Sequence, residues 1–329
     1  MKIKSVTIGI STYGPLPRSQ FLIRSIKQNM QDKGGYDVKI VLCDDGTDQY
    51  LLPDRRRFCK AEGVTLLEQE TNSGIPRVWN RITQENLASE AIIIFSDGIR
   101  ILMSGWLSRL IFFLENNENI GMVGLPHIPD PSLYDASEAR YDLPPGRVGA
   151  SVGCSFAYLT DKWKLVKNQD GSVGFFEDYV SFHEEIDFGF KLAQLGYSSW
   201  MLSEIPSYYR GGMAFGAHPE LIWREPSPYL PVDEFLFWVR QSKFFVPQYE
   251  ESYKQNQVDR MSYSRIYFAK IWGALDECRA GRRHQQIKDE MVDVLDESPK
   301  LVHARLIDTF PPQEVRYLDR QGNVRTGVS

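Results

Sequence analysis

The run Ala91-Ile92-Ile93-Ile94-Phe95, followed at once by Ser96-Asp97-Gly98, decides how this chain is read. Consecutive apolar residues, several of them β-branched, closed by a polar turn, predict a strand buried on both faces. Such a strand belongs inside a parallel sheet covered by helices, and the residues before it supply them. Ser5 to Thr12 (SVTIGIST) is a β-branched strand followed by Gly14-Pro15 and Pro17. Phe21, Leu22, Ile26 and Met30 then recur at helical spacing, up to a stop at Gly34-Gly35. Val38 to Cys43 repeats the strand and runs into Asp44-Asp45-Gly46-Thr47-Asp48, with a helix expected from Pro53 to Glu62. Thr65 to Glu68 gives a third strand, Asn72-Ser73-Gly74 a turn, and Val78, Trp79 and Ile82 the face of another helix.

Strands alternating with helices at this spacing predict βαβ units and an α/β domain with a mostly parallel central sheet. Ligands of such sheets bind beyond the carboxyl ends of the strands. The turns at Asp44-Asp45-Gly46, Asn72-Ser73-Gly74 and Ser96-Asp97-Gly98 all follow strands directly, so they should converge on one crevice. Each has a plain alternative as a tight turn or helix cap.

Downstream, Gly105-Trp106-Leu107 opens a helix to about Leu114, and Gly121 to Leu125 reads as a strand. Residues 126–149, rich in Pro, Asp and Tyr, read as a long loop of the kind that serves as a lid. Ala150 to Tyr158 is strand-like with small residues, and Tyr197 to Leu202 is expected as the last strand of the sheet. Between them lies Phe182-His183-Glu184-Glu185-Ile186-Asp187-Phe188-Gly189-Phe190, which puts three acids in the first turn of a helix that Gly196 should stop. Glu184 and Asp187 share a face there, and Glu185 points about a quarter-turn away with Gly189 beyond it. The acids complement the helix dipole or serve a ligand; this segment alone does not choose.

Composition narrows the classes. The chain has 329 residues, 42% of them hydrophobic, and a net charge of −5 with a pI near 5.7. That suits a soluble globular protein and speaks against broad binding of nucleic-acid phosphates. Arg55-Arg56-Arg57 and Arg282-Arg283 read as solvated faces. Cys43, Cys59, Cys154 and Cys278 show no CxxC spacing and read as reduced core thiols. The apolar stretch after Met1 is too short for a signal-peptide core, and no run approaches the roughly 20 apolar residues of a membrane span. A cytoplasmic location is expected, with any membrane association peripheral. Gly211 to Gly216 lacks the Lys-Ser/Thr of a P-loop, and no GxGxxG follows the first strand. His183 and His218 are the histidines weighed as metal ligands, though neither sits in a zinc-like spacing.

Beyond Pro219 the composition shifts. Residues 1–220 read as the α/β domain, and residues 221–329 as a largely helical extension. A helical run is expected from about Tyr263 to Ala280, with Gln313 to Ser329 partly disordered. Trp223, Tyr229, Phe235, Phe237, Trp238, Phe244 and Phe245 are expected to pack on the first domain or on a second subunit rather than to bind sugar.

The order of these motifs resembles the family 2-like glycosyltransferases of the GT-A fold. Thr12-Tyr13 after the first strand, Asp44-Asp45-Gly46-Thr47-Asp48, Asn72-x-Gly74 with Asn80, Phe95-Ser96-Asp97-Gly98 before Gly105-Trp106-Leu107, Gly153 to Tyr158, and Glu184-Glu185-x-Asp187 fall in that family's sequence over residues 4–215. The resemblance implies transfer of a sugar from a nucleotide-diphosphate donor, with a UDP-sugar expected, to an acceptor hydroxyl with inversion. It implies that Thr12, Tyr13, Asp44, Asp45, Asn72, Gly74, Asn80, Ser96 and Asp97 line the nucleotide-sugar site. Glu185 stands where the family places its base, with Glu184 and Asp187 positioning the acceptor or anchoring the helix. Mn2+ or Mg2+ is implied at Asp97, with His218 as a further ligand, and Arg210 is expected to assist the diphosphate. Two departures stand out: the family's last metal-binding Asp falls on Gly98, and Glu185 replaces its usual Asp. The acceptor (glycan, lipid-linked sugar, protein or modified nucleobase) is not legible. The rival readings are a nucleotidyltransferase on a similar sheet and a nucleotide-sugar-binding module without turnover.

Overall fold

The computed structural model describes residues 2–14, 16–30, 35–47, 49–101, 103–128, 145–148, 155–179, 183–202, 207–209, 268, 271–272, 302, 310–319 and 321–328. In chain order the elements are β1 (Ser5–Thr12), α1 (Leu16–Asn29), β2 (Asp37–Asp44), α2 (Leu52–Glu62), β3 (Thr65–Glu68), α3 (Ile75–Gln84) and β4 (Ala91–Ser96). There follow β5 (Ile99–Ile101), α4 (Trp106–Asn116), β6 (Ile120–Gly124), β7 (His127–Ile128), β8 (Gly146–Val148), β9 (Ser155–Leu159) and α5 (Thr160–Leu165). The last are α6 (Glu184–Gln194), β10 (Ser198–Met201), β11 (Ser207–Tyr209), β12 (Glu314–Leu318) and β13 (Val324–Val328).

An eight-stranded sheet runs in the order β3-β2-β1-β4-β9-β6-β10-β8. β1, β2, β3 and β4 pair in parallel, as the apolar run 91–95 predicts. β9 is inserted antiparallel between β4 and β6, β10 is parallel to β6, and β8 closes the edge antiparallel to β10. β5, β11 and β7 form a small second sheet.

Strand alternation builds two cores. Val6, Ile8, Ile10, Leu42, Ile93 and Phe95 face α1 and α4, where Leu22, Ile26, Trp106 and Leu110 are buried. On the opposite face Val41, Ile92, Ile94, Phe156 and Tyr158 lie under Val78, Trp79 and Ile82 of α3 and Phe188 and Leu192 of α6. Gly9 is the contact point between β1 and α3. A Cβ there would lie 2.5 Å from Ile82 Cγ2, so only glycine lets the helix approach this closely.

The last strand of the main sheet in chain order is β10, within the expected 197–202. β9 begins at Ser155 among the described residues; Gly153, Cys154 and residues 129–144 of the long loop lie outside them. The expectation of disorder over 313–329 is overturned. β12 and β13 form an antiparallel hairpin, and β12 docks on α4. Val315 is buried in the core beneath it, and Asn117 at the end of α4 exchanges two 2.9 Å bonds with the main chain of Arg316. The hairpin over 314–328 is thus ordered by the first domain's own core. Of the helical run 263–280, Phe268, Ile271 and Trp272 are described. The aromatics from Trp223 to Phe245 lie outside the described residues.

Gly9→Ala is expected to destabilise the protein by roughly 1–3 kcal/mol through overpacking against Ile82. Chemical denaturation checks it, and Ile82→Val in the same chain should recover part of the loss, because contacting residues are not additive.

Candidate functional site

The carboxyl ends of β1, β2 and β4 meet around a buried arginine. Arg55 belongs to the triplet read above as a solvated face, and for this residue that reading is overturned. Leu52, Arg55, Phe58 and Cys59 form the inward face of α2, and the Arg55 side chain has no solvent exposure. Arg56 and Arg57 alone are exposed, bonded to Glu68 and Asp54. The guanidinium of Arg55 pairs with the equally buried Asp44, donates to Thr47 Oγ1 at 2.9 Å and donates to the carbonyl of Gly14. Thr47 Oγ1 accepts in turn from the Gly14 amide at 2.9 Å, while its own amide donates to Asp44 Oδ1 at 2.7 Å. Burial lowers the Arg55 pKa to about 10, opposed chiefly by the attraction of Asp97. The signal was present in the sequence as the helical spacing Leu52-x-x-Arg55-x-x-Phe58.

Asp45 works differently from Asp44. Its Oδ1 accepts from the Ser73 amide at 2.7 Å and the Ser73 hydroxyl at 2.9 Å, and its Oδ2 accepts from the Gly74 amide at 3.1 Å. It thereby fastens the 72–74 turn, whose Gly74 has φ 95° and caps α3. Gly46, at φ 75°, lets that turn come close: a Cβ there would lie 2.2 Å from the backbone of Thr71. The Asp-Asp-Gly run is therefore a device for locking two loops together.

The third strand end carries Asp97. Its amide donates to Ser11 O at 3.1 Å, and its Oδ2 accepts from Thr12 Oγ1 at 2.9 Å. Its Oδ1 lies 3.2 Å from Arg18 NH2, with side-chain exposures of 8% for Asp97 and 14% for Arg18. Arg18, in the first turn of α1, carries no sequence signal beyond its place after Pro17. The structure thus brings Thr12, Asp44, Asp45, Ser73, Gly74 and Asp97 together. Tyr13, Asn72 and Ser96 flank them at intermediate exposure. Asn80 instead faces the second core, where it donates to Phe175 O at 2.7 Å and accepts from Phe175 N at 2.9 Å.

The acidic turn lies at the same edge of the sheet. α6 packs across β6 and β10, and its C-terminus leads through Gly196 into the start of β10. Running back along the sheet, it places its N-terminus at the carboxyl edge. Gly196, at φ 88°, ends the helix with its amide bonded to Ala193 O and that of Tyr197 bonded to Leu192 O, a Schellman stop. At the other end His183 has φ 71°, the sole positive φ among described non-glycine residues. Such backbone strain concentrates at functional sites.

The shared face of Glu184 and Asp187 points inward. Asp187 is fully buried and saturated: Trp272 Nε1 donates to Oδ1 at 2.9 Å, Tyr179 OH donates to Oδ1 at 3.4 Å, and Lys191 pairs with Oδ2. Burial raises its pKa, while Lys191, Trp272 and Tyr179 oppose the rise. Glu184 is 2% exposed, and its Oε2 has no hydrogen-bond partner among the described residues. Burial, and then the neighbouring Glu185, push its pKa well above the usual carboxylate range. Glu185 reaches an intermediate exposure. Two adjacent carboxyls thus have different surroundings: Glu184 is buried and favours its protonated form, while Glu185 is half-buried.

A divalent cation does not fit the described residues well. Asp97 is the sole carboxylate of its turn, since Gly98 follows it, and both its oxygens are engaged. Among the described residues no group of three or more His, Cys, Asp or Glu converges on a point that could hold a metal ion. Arg210 and His218 lie outside the described residues. Cys43 and Cys59 are buried free thiols, and among the described residues no helix is long and apolar enough to cross a membrane.

No protein-family model and no curated protein matches the chain. Solved structures do. A crystal structure of GalNAc-T7 with UDP, GalNAc and Mn2+ superposes with a TM-score of 0.52 at 13% identity, covering 99% of this chain and 65% of that one. The mannosyltransferase PcManGT from Pyrobaculum calidifontis, in complex with GDP-Man and Mn2+, gives 0.48 at 14% identity over 93% of this chain and 88% of that one. S. aureus TarS gives 0.48 at 11%, over 98% and 60%. This chain thus spans less than two thirds of GalNAc-T7. It has the GT-A fold: a mixed, mostly parallel sheet with flanking helices.

Because Glu184 keeps its proton in the folded protein to higher pH than in the unfolded chain, its stabilising contribution is complete below the ordinary carboxylate range and lost as pH rises through the folded pKa. Glu184→Gln abolishes that loss. The stability of the variant relative to the parent should rise as pH increases from the ordinary carboxylate range upward, as read from urea denaturation at a series of pH values.

Proposed function

We propose that this chain is a glycosyltransferase that moves a sugar from a nucleotide-diphosphate donor, with a UDP-sugar favoured, to an acceptor hydroxyl with inversion. The observation that carries the reading is the meeting of two features at one edge of a GT-A sheet. One is the locked crevice at Thr12, Asp45 and Asp97; the other is the first turn of α6 with its single outward carboxylate, Glu185. The sheet edge suits a nucleotide, and the half-buried carboxyl of Glu185 beside the buried Glu184 suits a base.

In this reading Thr12, Tyr13, Asp45 and the 72–74 turn form the nucleoside side of the site, and Asp44 sets their geometry through Arg55. Ser96 and Asp97 stand at the diphosphate, with Arg210 as a proposed further contact. Glu185 takes the proton of the acceptor hydroxyl as that oxygen bonds to the anomeric carbon. The bond from that carbon to the phosphate oxygen breaks, and its electron pair leaves with the nucleoside diphosphate. Glu184, neutral beneath, adds no repulsion, and Asp187 holds the helix. A Mn2+ or Mg2+ ion would have only Asp97 and His218 of the expected ligands to hold it, and no step of this reading is routed through it. Residues 221–329 are the proposed seat of acceptor recognition or oligomerisation.

Gly98 favours a second reading, a nucleotide-sugar-binding module without turnover. One set of measurements separates the two. Thermal shifts against UDP-, GDP- and dTDP-sugars should raise Tm with one nucleotide, since a ligand of the native state alone stabilises it. No shift with any of them removes both readings. Glu185→Gln should keep that shift and lose about 10²–10⁴-fold in sugar transfer or donor hydrolysis. A parent that binds the donor but never turns it over leaves the module.

A further inference from the structure

Resting on the donor-site reading above, we propose that Arg18, held by Asp97, is the cation that binds the donor's diphosphate, and that nucleotide binding here requires no divalent metal ion. The first observation is the place of Arg18. Its NH2 lies 3.2 Å from Asp97 Oδ1, while Thr12 Oγ1 takes the other oxygen at 2.9 Å. A metal ion on Asp97 would have to displace one of these partners, and Arg18 would then lie within a few ångströms of a second positive centre.

The local charge balance points the same way. Asp97 and Asp44 are met by Arg18 and Arg55, and the field of Asp97 reaches the Arg55 guanidinium. Asp45, the third carboxylate of the crevice, is already spent on the Ser73 and Gly74 amides. A divalent cation would add two positive charges beside two arginines that already meet Asp97 and Asp44. Gly98 provides no further carboxylate at the next position. A diphosphate brings negative charge to two arginines, one of them partly exposed at the crevice.

The chemistry of the group completes the argument. A guanidinium binds carboxylate and phosphate oxygens through a planar fork, and its charge does not titrate near neutral pH. Arg18 has 14% of its side chain exposed, whereas Arg55 has none, so Arg18 can touch a ligand and Arg55 acts through its field. Asp97 is then a positioning residue: it orients Arg18 rather than ligating a metal.

Calorimetric titration of the full chain with UDP and with GDP, in EDTA and separately in MnCl2, tests this. The expected result is binding of one nucleotide with similar Kd in both buffers. Arg18→Ala should weaken that binding on the order of 10- to 100-fold in either buffer. Arg18→Lys, which keeps the charge without the fork, should recover part of it, and thermal melts without ligand show that each variant folds. Asp97→Asn should weaken binding less than Arg18→Ala does. Binding that appears only with Mn2+, or an Arg18→Ala chain that folds and binds as the parent does, overturns the proposal and leaves the glycosyltransferase reading standing. No binding of either nucleotide in either buffer overturns both.

Discussion

Arg55 is the constraint on which the crevice depends. A guanidinium with no solvent exposure must find charge and acceptors inside the protein, because its desolvation is otherwise prohibitive. It finds Asp44 at the end of β2, Thr47 in the turn beyond, and the Gly14 carbonyl beyond the end of β1. The chain beyond β1 and the turn beyond β2 are thereby fixed to α2 by one side chain. A pair of this kind adds less stability than an apolar replacement of the same shape often would, so its value lies in geometry. The loops at the ends of β1 and β2 can adopt one arrangement, and Asp97 at the end of β4 feels the same charge.

The acidic turn is set by a different kind of force. Trp79 of α3 meets Phe156 and Phe175 edge-on, at 4.9 and 5.2 Å, and Phe175 packs at 4.4 Å against Phe188 of α6. Asn80 grips both the amide and the carbonyl of Phe175, so this aromatic layer cannot slide. α6 is thus positioned against α3 by ring packing, and α3 in turn sits against β1 at Gly9. Beyond α6, Phe268 and Trp272 join Phe190, and Trp272 bonds to Asp187. A residue far along the chain thereby reaches the turn that carries Glu185.

Much of this was legible in the sequence because it rests on periodicity. The apolar run 91–95 and the strand-turn-helix order announce a covered parallel sheet, and the positive φ of Gly74 and Gly196 follows from where those glycines fall. What the sequence hides are cases in which one residue type serves opposite roles. Arg55, Arg56 and Arg57 are identical as letters, and only the inward face of α2 buries the first. Arg18 is a single exposed-type residue whose meaning depends on Asp97, brought to it by the β1–β4 pairing. The hairpin 314–328 has few apolar residues, and its order comes from Val315 and from Asn117 on α4, a contact no local pattern encodes.

The same ambiguity governs the acids. Motif order suggests that Asp44, Asp45, Asp97, Glu184, Glu185 and Asp187 act as ligand-facing groups, yet the structure spends most of them internally. Asp44 neutralises Arg55, Asp45 holds the 72–74 turn, and Asp187 is saturated by Lys191, Tyr179 and Trp272. Burial of Glu184 favours its protonated form. A carboxylate cluster on a loop edge would repel itself if every member faced solvent and stayed ionised. Meeting Asp44 and Asp187 with cations, fastening Asp45 to amides and burying Glu184 in a setting that favours its proton reduce that repulsion. Separation of roles among like residues, rather than their accumulation, is what lets so many acids share one edge of the sheet.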